Sequence, residues 1–111
     1  MTKPIIWEAP DSIKKKSKLT QFLKYCNVSN YDDLEKKSFS DPGWLWDNVI
    51  KFSDLKFYNP YKKILDETKG PPWSKWCVGG TTNIVLNCVD RHMDKDFFKE
   101  TFIYSEREDG K

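Results

Sequence analysis

His92 is the only histidine in the chain, so any acid–base work by an imidazole rests on it alone. It follows Asp90 and Arg91 at the end of an apolar stretch, where a histidine near the negative end of a helix more often caps or packs than catalyses. Cys88 lies four residues before it, so on a helix the two share a face, and Cys77 or Cys26 could complete a metal set. Zinc sites in small domains use tight Cys-x2-4-Cys pairs, however, and the step from Cys77 to Cys88 is eleven residues. Three widely spaced cysteines read better as reduced core thiols than as a metal site or a disulfide framework. Gly79-Gly80-Thr81-Thr82 before an apolar helical stretch resembles an anion cradle. No lysine follows in the first helical turn to meet a phosphate, and the pair reads as a tight loop-to-helix turn. Trp73 and Trp76 could form a ligand platform, but a long loop more often uses such residues to clamp itself to the core. Lys14, Lys15, Lys16 and Lys18 form the one dense basic cluster, and its commoner meaning is a solvated helix face. No Gly-x-Ser-x-Gly elbow, His-Glu-x-x-His helix or dinucleotide fingerprint is present in the sequence. The candidate list is therefore empty: no catalytic, cofactor-binding or metal residue is assigned.

The elements that would position these residues are short. Pro4 and Pro10 bracket Ile5, Ile6 and Trp7 in an extended arm over residues 1–12. Residues 13–52 read as helical. Leu19, Phe22, Leu23 and Cys26 fall on one stripe, closed by Asn27. Ser29 with Asp32 starts a second helix through Leu34 to Lys37. Ser40-Asp41-Pro42-Gly43 opens a third, with serine as the cap and Leu45, Val49 and Phe52 on its stripe, widened by Trp46 and Ile50. From 53 to 80 the pattern breaks into a loop with turns at Asn59-Pro60 and Gly70-Pro71-Pro72, and Tyr61 to Leu65 is either a short strand or a helical turn. A last helix spans 81–94, capped by Thr81 or Thr82, with Ile84, Val85, Cys88, Val89 and Met93 on its apolar side. Phe102-Ile103-Tyr104 is the clearest strand, and Asp109-Gly110 after it signals a hairpin whose return strand is missing, so 100–111 reads as a strand and turn. The fold class expected is mainly α, with a long Pro/aromatic loop and one C-terminal strand of an incomplete hairpin, a partial domain.

Composition sets the outer bounds. The 111 residues carry 15% aromatics, too many for a disordered tail. Alanine is nearly absent, so the apolar content lies in large side chains. The longest aliphatic run is Ile84-Val85-Leu86 and the mean hydropathy is −0.76, against a membrane span. Met1 to Glu8 shows no secretory signal, and a soluble cytoplasmic chain is expected. Nineteen basic and seventeen acidic residues leave +2, almost all of the basic side lysine, which argues against nucleic acid.

The run from Trp76 to His92 (Trp-Cys-Val-Gly-Gly-Thr-Thr-Asn-Ile-Val-Leu-Asn-Cys-Val-Asp-Arg-His) resembles the N-terminal segment of AMP-forming acetyl-CoA synthetases and their propionate and acetoacetate relatives. Ser38 to Pro42 followed by Trp44-Leu45-Trp46, Asn59-Pro60-Tyr61 before Ile64-Leu65-Asp66, and Phe102 to Tyr104 before Glu108-Asp109-Gly110 resemble further parts of it. Cys77, Thr82 and Leu45 depart from the usual Phe, Leu and Phe, all at packing positions. The resemblance implies a family that uses ATP, magnesium and CoA to turn a carboxylate into an acyl-adenylate and then an acyl-CoA. The residues that do so in the family lie beyond this segment, and none carries over to a position here. On that footing the chain is not an enzyme by itself. It is a non-catalytic cap for the adenylating domain of an acyl-CoA synthetase, in cis or as a separate chain, and marginally stable alone. A stand-alone helical interaction module is the alternative.

Overall fold

The computed structural model describes residues 6–93, 99–101 and 103–110. Five α-helices and one two-stranded sheet are found among them, in the order α1 (Asp11–Lys16), α2 (Lys18–Tyr25), α3 (Tyr31–Ser40), α4 (Pro42–Phe52), β1 (Lys63–Asp66), β2 (Lys75–Val78) and α5 (Ile84–Cys88). The mainly helical expectation holds.

The helix ends are local chemistry. Ser17 separates α1 from α2 and its hydroxyl accepts from the Thr20 amide at 3.1 Å. Asn27, at φ 53°, closes α2: its amide reaches Lys24 O and that of Val28 reaches Leu23 O, the paired bonds of a left-handed helix stop. Asp54 at φ 52° repeats this at the end of α4, with its amide on Lys51 O and the Leu55 amide on Ile50 O. Three caps differ from expectation by a residue or two. Asn30, not Ser29, caps α3 by accepting from the Asp33 amide at 2.9 Å. Asp41, not Ser40, caps α4 by accepting from the Trp44 amide at 2.8 Å, with Pro42 in the first turn. Ser40 instead donates back to Lys37 O and closes α3. Asn83, not Thr81 or Thr82, caps α5 through the Val85 amide at 2.7 Å.

The stretch expected as a loop folds back on itself. β1 and β2 pair antiparallel, Lys63 opposite Val78, Leu65 opposite Trp76 and Asp66 opposite Lys75. A 3-10 turn, Pro71–Trp73, entered through Gly70 at φ 87°, makes the connection. Of the two readings of Tyr61 to Leu65 the strand forms, shifted to Lys63–Asp66. The last helix is shorter than 81–94: α5 has five residues, and a 3-10 turn, Asp90–His92, follows. The C-terminal strand is corrected. Ile103 and Tyr104 adopt no strand and are exposed, with no second strand beside them among the described residues, and Phe102 lies outside the described residues. The turn expected at Asp109-Gly110 does form, with the Gly110 amide on Arg107 O at 2.9 Å.

Packing is thin. Phe22 of α2 meets Phe52 at the end of α4 edge-on, centroids 5.2 Å apart, and Tyr25 joins them. Gly43 brings the start of α4 against β1, where a β-carbon would sit 3.3 Å from Ile64 Cγ2. Only Phe22 and Leu34 are buried apolar side chains among the described residues. The accessible surface is 9889 Å². A compact monomer of 13.2 kDa exposes about 6,400 Å².

Candidate functional site

Two neighbouring features occupy the heart of the chain, one polar and one apolar. The polar one is a junction between the turn after α4 and the start of α5. Asn87 accepts from the Lys56 amide through Oδ1 at 2.7 Å. Its Nδ2 donates to Lys56 O at 3.0 Å, to Thr82 Oγ1 at 3.0 Å and to Asn83 O at 3.2 Å. Thr82 Oγ1 also donates to Lys56 O at 2.6 Å. One side chain thus pairs both backbone groups of Lys56, as a strand neighbour would. Asn59 and Thr81 bridge antiparallel beside it, and Asn59 Nδ2 donates to Thr81 Oγ1 at 2.9 Å. Asp54 ties in Lys56 at 2.6 Å and Arg91 at 3.3 Å.

The glycine pair serves this junction. Gly79 sits at φ +81°, the left-handed region that excludes most side chains. A β-carbon on Gly80 would lie 3.0 Å from Tyr61 Cβ, 3.1 Å from Cys77 O and 3.2 Å from Phe57 Cδ1. The Gly80 amide closes the turn on Cys77 O at 2.9 Å. The pair makes the tight turn expected of it. Asn83 occupies the Val85 amide at the start of the five-residue α5.

The apolar feature is a cleft of about 370 Å³ between α4 and the hairpin, lined by Trp46, Ile50, Ile64, Trp76 and Cys77. Trp46 and Trp76 meet edge to face with centroids 6.1 Å apart, yet each stays about half exposed (48% and 47%). Cys77 has φ 48°, which interrupts the alternation of β2, and the consecutive residues Trp76 and Cys77 both line the cleft. Burial pushes the Cys77 thiol up from its ordinary range, and the Asp47 charge adds to this. Beside the cleft, Asp47 of α4 accepts from Tyr61 Oη and from Lys51 Nζ, each at 2.6 Å. The Lys51 hydrogen bond first, then that of Tyr61, holds the Asp47 carboxyl below its usual value. Burial first, then the Asp47 hydrogen bond, pushes Tyr61 up to about 12.

The residues singled out in the sequence are not brought together as a reactive centre. Among the described residues no group of three His, Cys, Asp or Glu side chains could hold a metal ion. Cys26 and Cys77 are half-buried thiols and Cys88 is exposed, all three unbridged. His92 lies in the 3-10 turn after α5. Lys14 pairs with Glu8. Trp76 does clamp the hairpin to α4 through Trp46, whereas Trp73 is 69% exposed and clamps nothing. Of the residues that build the two features, Asn87, Tyr61 and Ile64 stand in the sequence reading only as parts of longer runs, and Lys56 and Asp47 do not stand in it. A signal existed for one of them: Asn87 is a polar interruption of the apolar run Ile84 to Val89. No described helix is long and apolar enough to cross a membrane.

The model of the family described as the acetyl-coenzyme A synthetase N-terminus matches residues 31–88, from the start of α3 to the end of α5. The chain belongs to the acetyl-coenzyme A synthetase N-terminus family. Within it, the chain is 33% identical to the acetyl-coenzyme A synthetase of Wolinella succinogenes over 78 residues, 70% of this chain and 12% of that protein. It is 32% identical to that of Campylobacter jejuni over 78 residues, again 70% and 12%. The synthetase of Methanothrix soehngenii matches at 30% over 89 residues, 78% of this chain and 13% of the relative. The chain thus spans about an eighth of the length of these curated relatives. No solved structure matches it. The matched stretch holds the cleft and the Asn87–Lys56–Thr82 network of the junction, while Arg91 of the junction and Phe22, which packs on Phe52, lie outside it.

Proposed function

We propose that this chain is the non-catalytic cap of an AMP-forming acyl-CoA synthetase and packs on that enzyme's adenylating domain, in cis or as a separate chain. ATP, magnesium and CoA belong, on this reading, to the partner, and this chain contributes surface rather than chemistry. The observation that carries it is the unspent apolar surface. Trp7, Phe39, Trp73, Ile84 and Tyr104 are 69–90% exposed, and the two buried apolar side chains among the described residues are few for a chain with so many aromatics. A segment that meets only an eighth of its relatives' length and leaves its large side chains uncovered is suited to complete a larger body. Three unbridged thiols support a reducing compartment, the cytoplasm.

The test has two arms. Pyrophosphate release from acetate, ATP and CoA is measured for the chain alone, and no release above a mock preparation is expected. Turnover there would overturn the non-catalytic assignment. The chain is then co-expressed with the Wolinella succinogenes synthetase lacking its matched segment. Copurification with recovery of soluble activity is expected, and failure to copurify removes the cap role in favour of a stand-alone interaction module.

A further inference from the structure

The cleft between α4 and the hairpin is concave and lined by apolar side chains. Its five lining residues include no charged side chain and no amide or hydroxyl group. Pockets for metabolites hold a few placed polar groups that fix orientation, and this one offers only indole edges, aliphatic carbons and a thiol. Its volume suits one or two large apolar side chains. Half-exposed tryptophans around a pocket are also the residues most enriched at the centres of protein interfaces.

The size of the uncovered surface sets how much an occupant must cover. The chain exposes 9889 Å², about 3,500 Å² beyond a compact monomer of its mass. A standard interface covers about 800 Å² per partner, and large obligate ones about 1,000–2,500 Å². The relatives are about eight times longer than the segment they share with this chain, and that remainder is a body large enough to cover it.

We infer that the Trp46–Trp76 cleft is the anchor point of the interface, and that an aliphatic or aromatic side chain of the adenylating domain seats between Trp46, Ile50, Ile64, Trp76 and Cys77. This rests on the cap reading and names the contact that would carry it. Cys77 reports on it directly, because its thiol lines the seat. In a Cys26→Ser/Cys88→Ser variant Cys77 is the sole thiol of the chain. Maleimide addition to it, read as mass gain on this chain, is compared between the free chain and the chain copurified with the truncated Wolinella succinogenes synthetase. Labelling at least ten-fold slower in the complex is expected. A complex in which Cys77 labels as fast as in the free chain overturns the anchor and leaves the cap role standing. The absence of any complex removes both. Protection that appears in the free chain as its concentration rises assigns the cleft to a second copy and overturns the proposed occupant. As a second reading, Trp46→Ala should weaken the complex ten-fold or more and Trp73→Ala less than two-fold, with helical circular dichroism retained in both. Equal losses in the two variants overturn the anchor.

Discussion

The polar junction and the apolar cleft share one stretch of sequence, Trp76 to Asn87, and treat it in opposite ways. From Thr81 to Asn87 the hydrogen-bonding groups that reach Lys56 and Asn59 are used within the chain. At Trp76 and Cys77 the apolar groups meet Trp46 on one side and leave the cleft open on the other. Polar groups must find partners locally or pay a desolvation cost, so a satisfied network marks scaffold. Apolar area held half-exposed in a preformed shape marks a surface meant to be covered. The lesson is that the junction should govern stability of the chain, and the cleft its association.

The sharpest way to break that distinction is at Gly80. A methyl group there lies 3.0 Å from Tyr61 Cβ and 3.1 Å from the Cys77 carbonyl, and backbone on one side cannot give way as a flexible side chain would. Gly80→Ala should cost about 2–3 kcal/mol. Urea denaturation followed by circular dichroism measures it, and an unchanged midpoint would show that the junction does not hold the chain together. Asn87→Ala comes next, at about 1.5 kcal/mol, because it removes the side-chain partner of the Lys56 amide, while Lys56 O keeps the Thr82 hydroxyl. Asn87→Asp keeps the acceptor for the Lys56 amide and loses the donors, so it should recover only part of that loss.

How much of this was legible follows from the range of the interactions. The α2 stripe through Phe22, the stop at Asn27 and the proline-led start of α4 are set within one or two turns of chain, and the sequence displays them. The caps slipped because cap-competent residues run together, Ser29-Asn30, Ser40-Asp41 and Thr81-Thr82-Asn83, and the backbone path alone decides which one serves. The hairpin was hidden because four-residue strands in a stretch broken by proline and glycine carry little periodicity, and their pairing joins residues up to fifteen apart, Lys63 with Val78. Both features of the candidate site are less local still. Trp46 meets Trp76, and Lys56 meets Asn87 across 31 positions. In the reverse direction, Ile103-Tyr104 has the composition of a strand but, among the described residues, no ladder to join. The family resemblance ran ahead of the geometry: its longest motif was visible, and only the structure divides that motif into scaffold and open surface.

Tyr61 stands at the boundary between the two features, with its ring against Phe57, centroids 5.3 Å apart, and its hydroxyl on Asp47. Tyr61→Phe keeps the ring and removes one partly exposed bond to a carboxylate, at a cost of about 1 kcal/mol. The pH dependence is the more telling readout. The folded-state value of about 12 lies above the ordinary phenol value of 10.0, so the folded chain holds this proton more tightly than the unfolded one. Its contribution is complete below pH 10 and is lost as pH rises from 10 towards 12. Asp47 works in the opposite sense: its lowered value stabilises the fold above the ordinary carboxylate range, and the gain disappears as pH falls below it. Urea midpoints across both windows should fall at each end in the parent chain, and Tyr61→Phe should flatten the alkaline fall. An alkaline limb unchanged in that variant would detach Tyr61 from the scaffold.

The smallest effect separates two tryptophans three residues apart. Trp76 touches Trp46 and lines the cleft, while Trp73 projects from the 3-10 turn with 69% of its surface exposed. Area removed from water is what a side chain contributes to stability, so Trp73→Ala should move the chain by less than about 0.5 kcal/mol. Trp76→Ala, losing a half-buried indole, should cost about 1–2 kcal/mol, short of the value for a fully buried one. Urea midpoints of the two variants, measured side by side, test the order. Equal costs would mean that Trp73 is covered in solution and clamps the loop after all. A Trp76→Ala loss as large as that of Gly80→Ala would move the cleft from open surface to core, and the division between a scaffold and a surface awaiting its partner would fail at the residue that joins them.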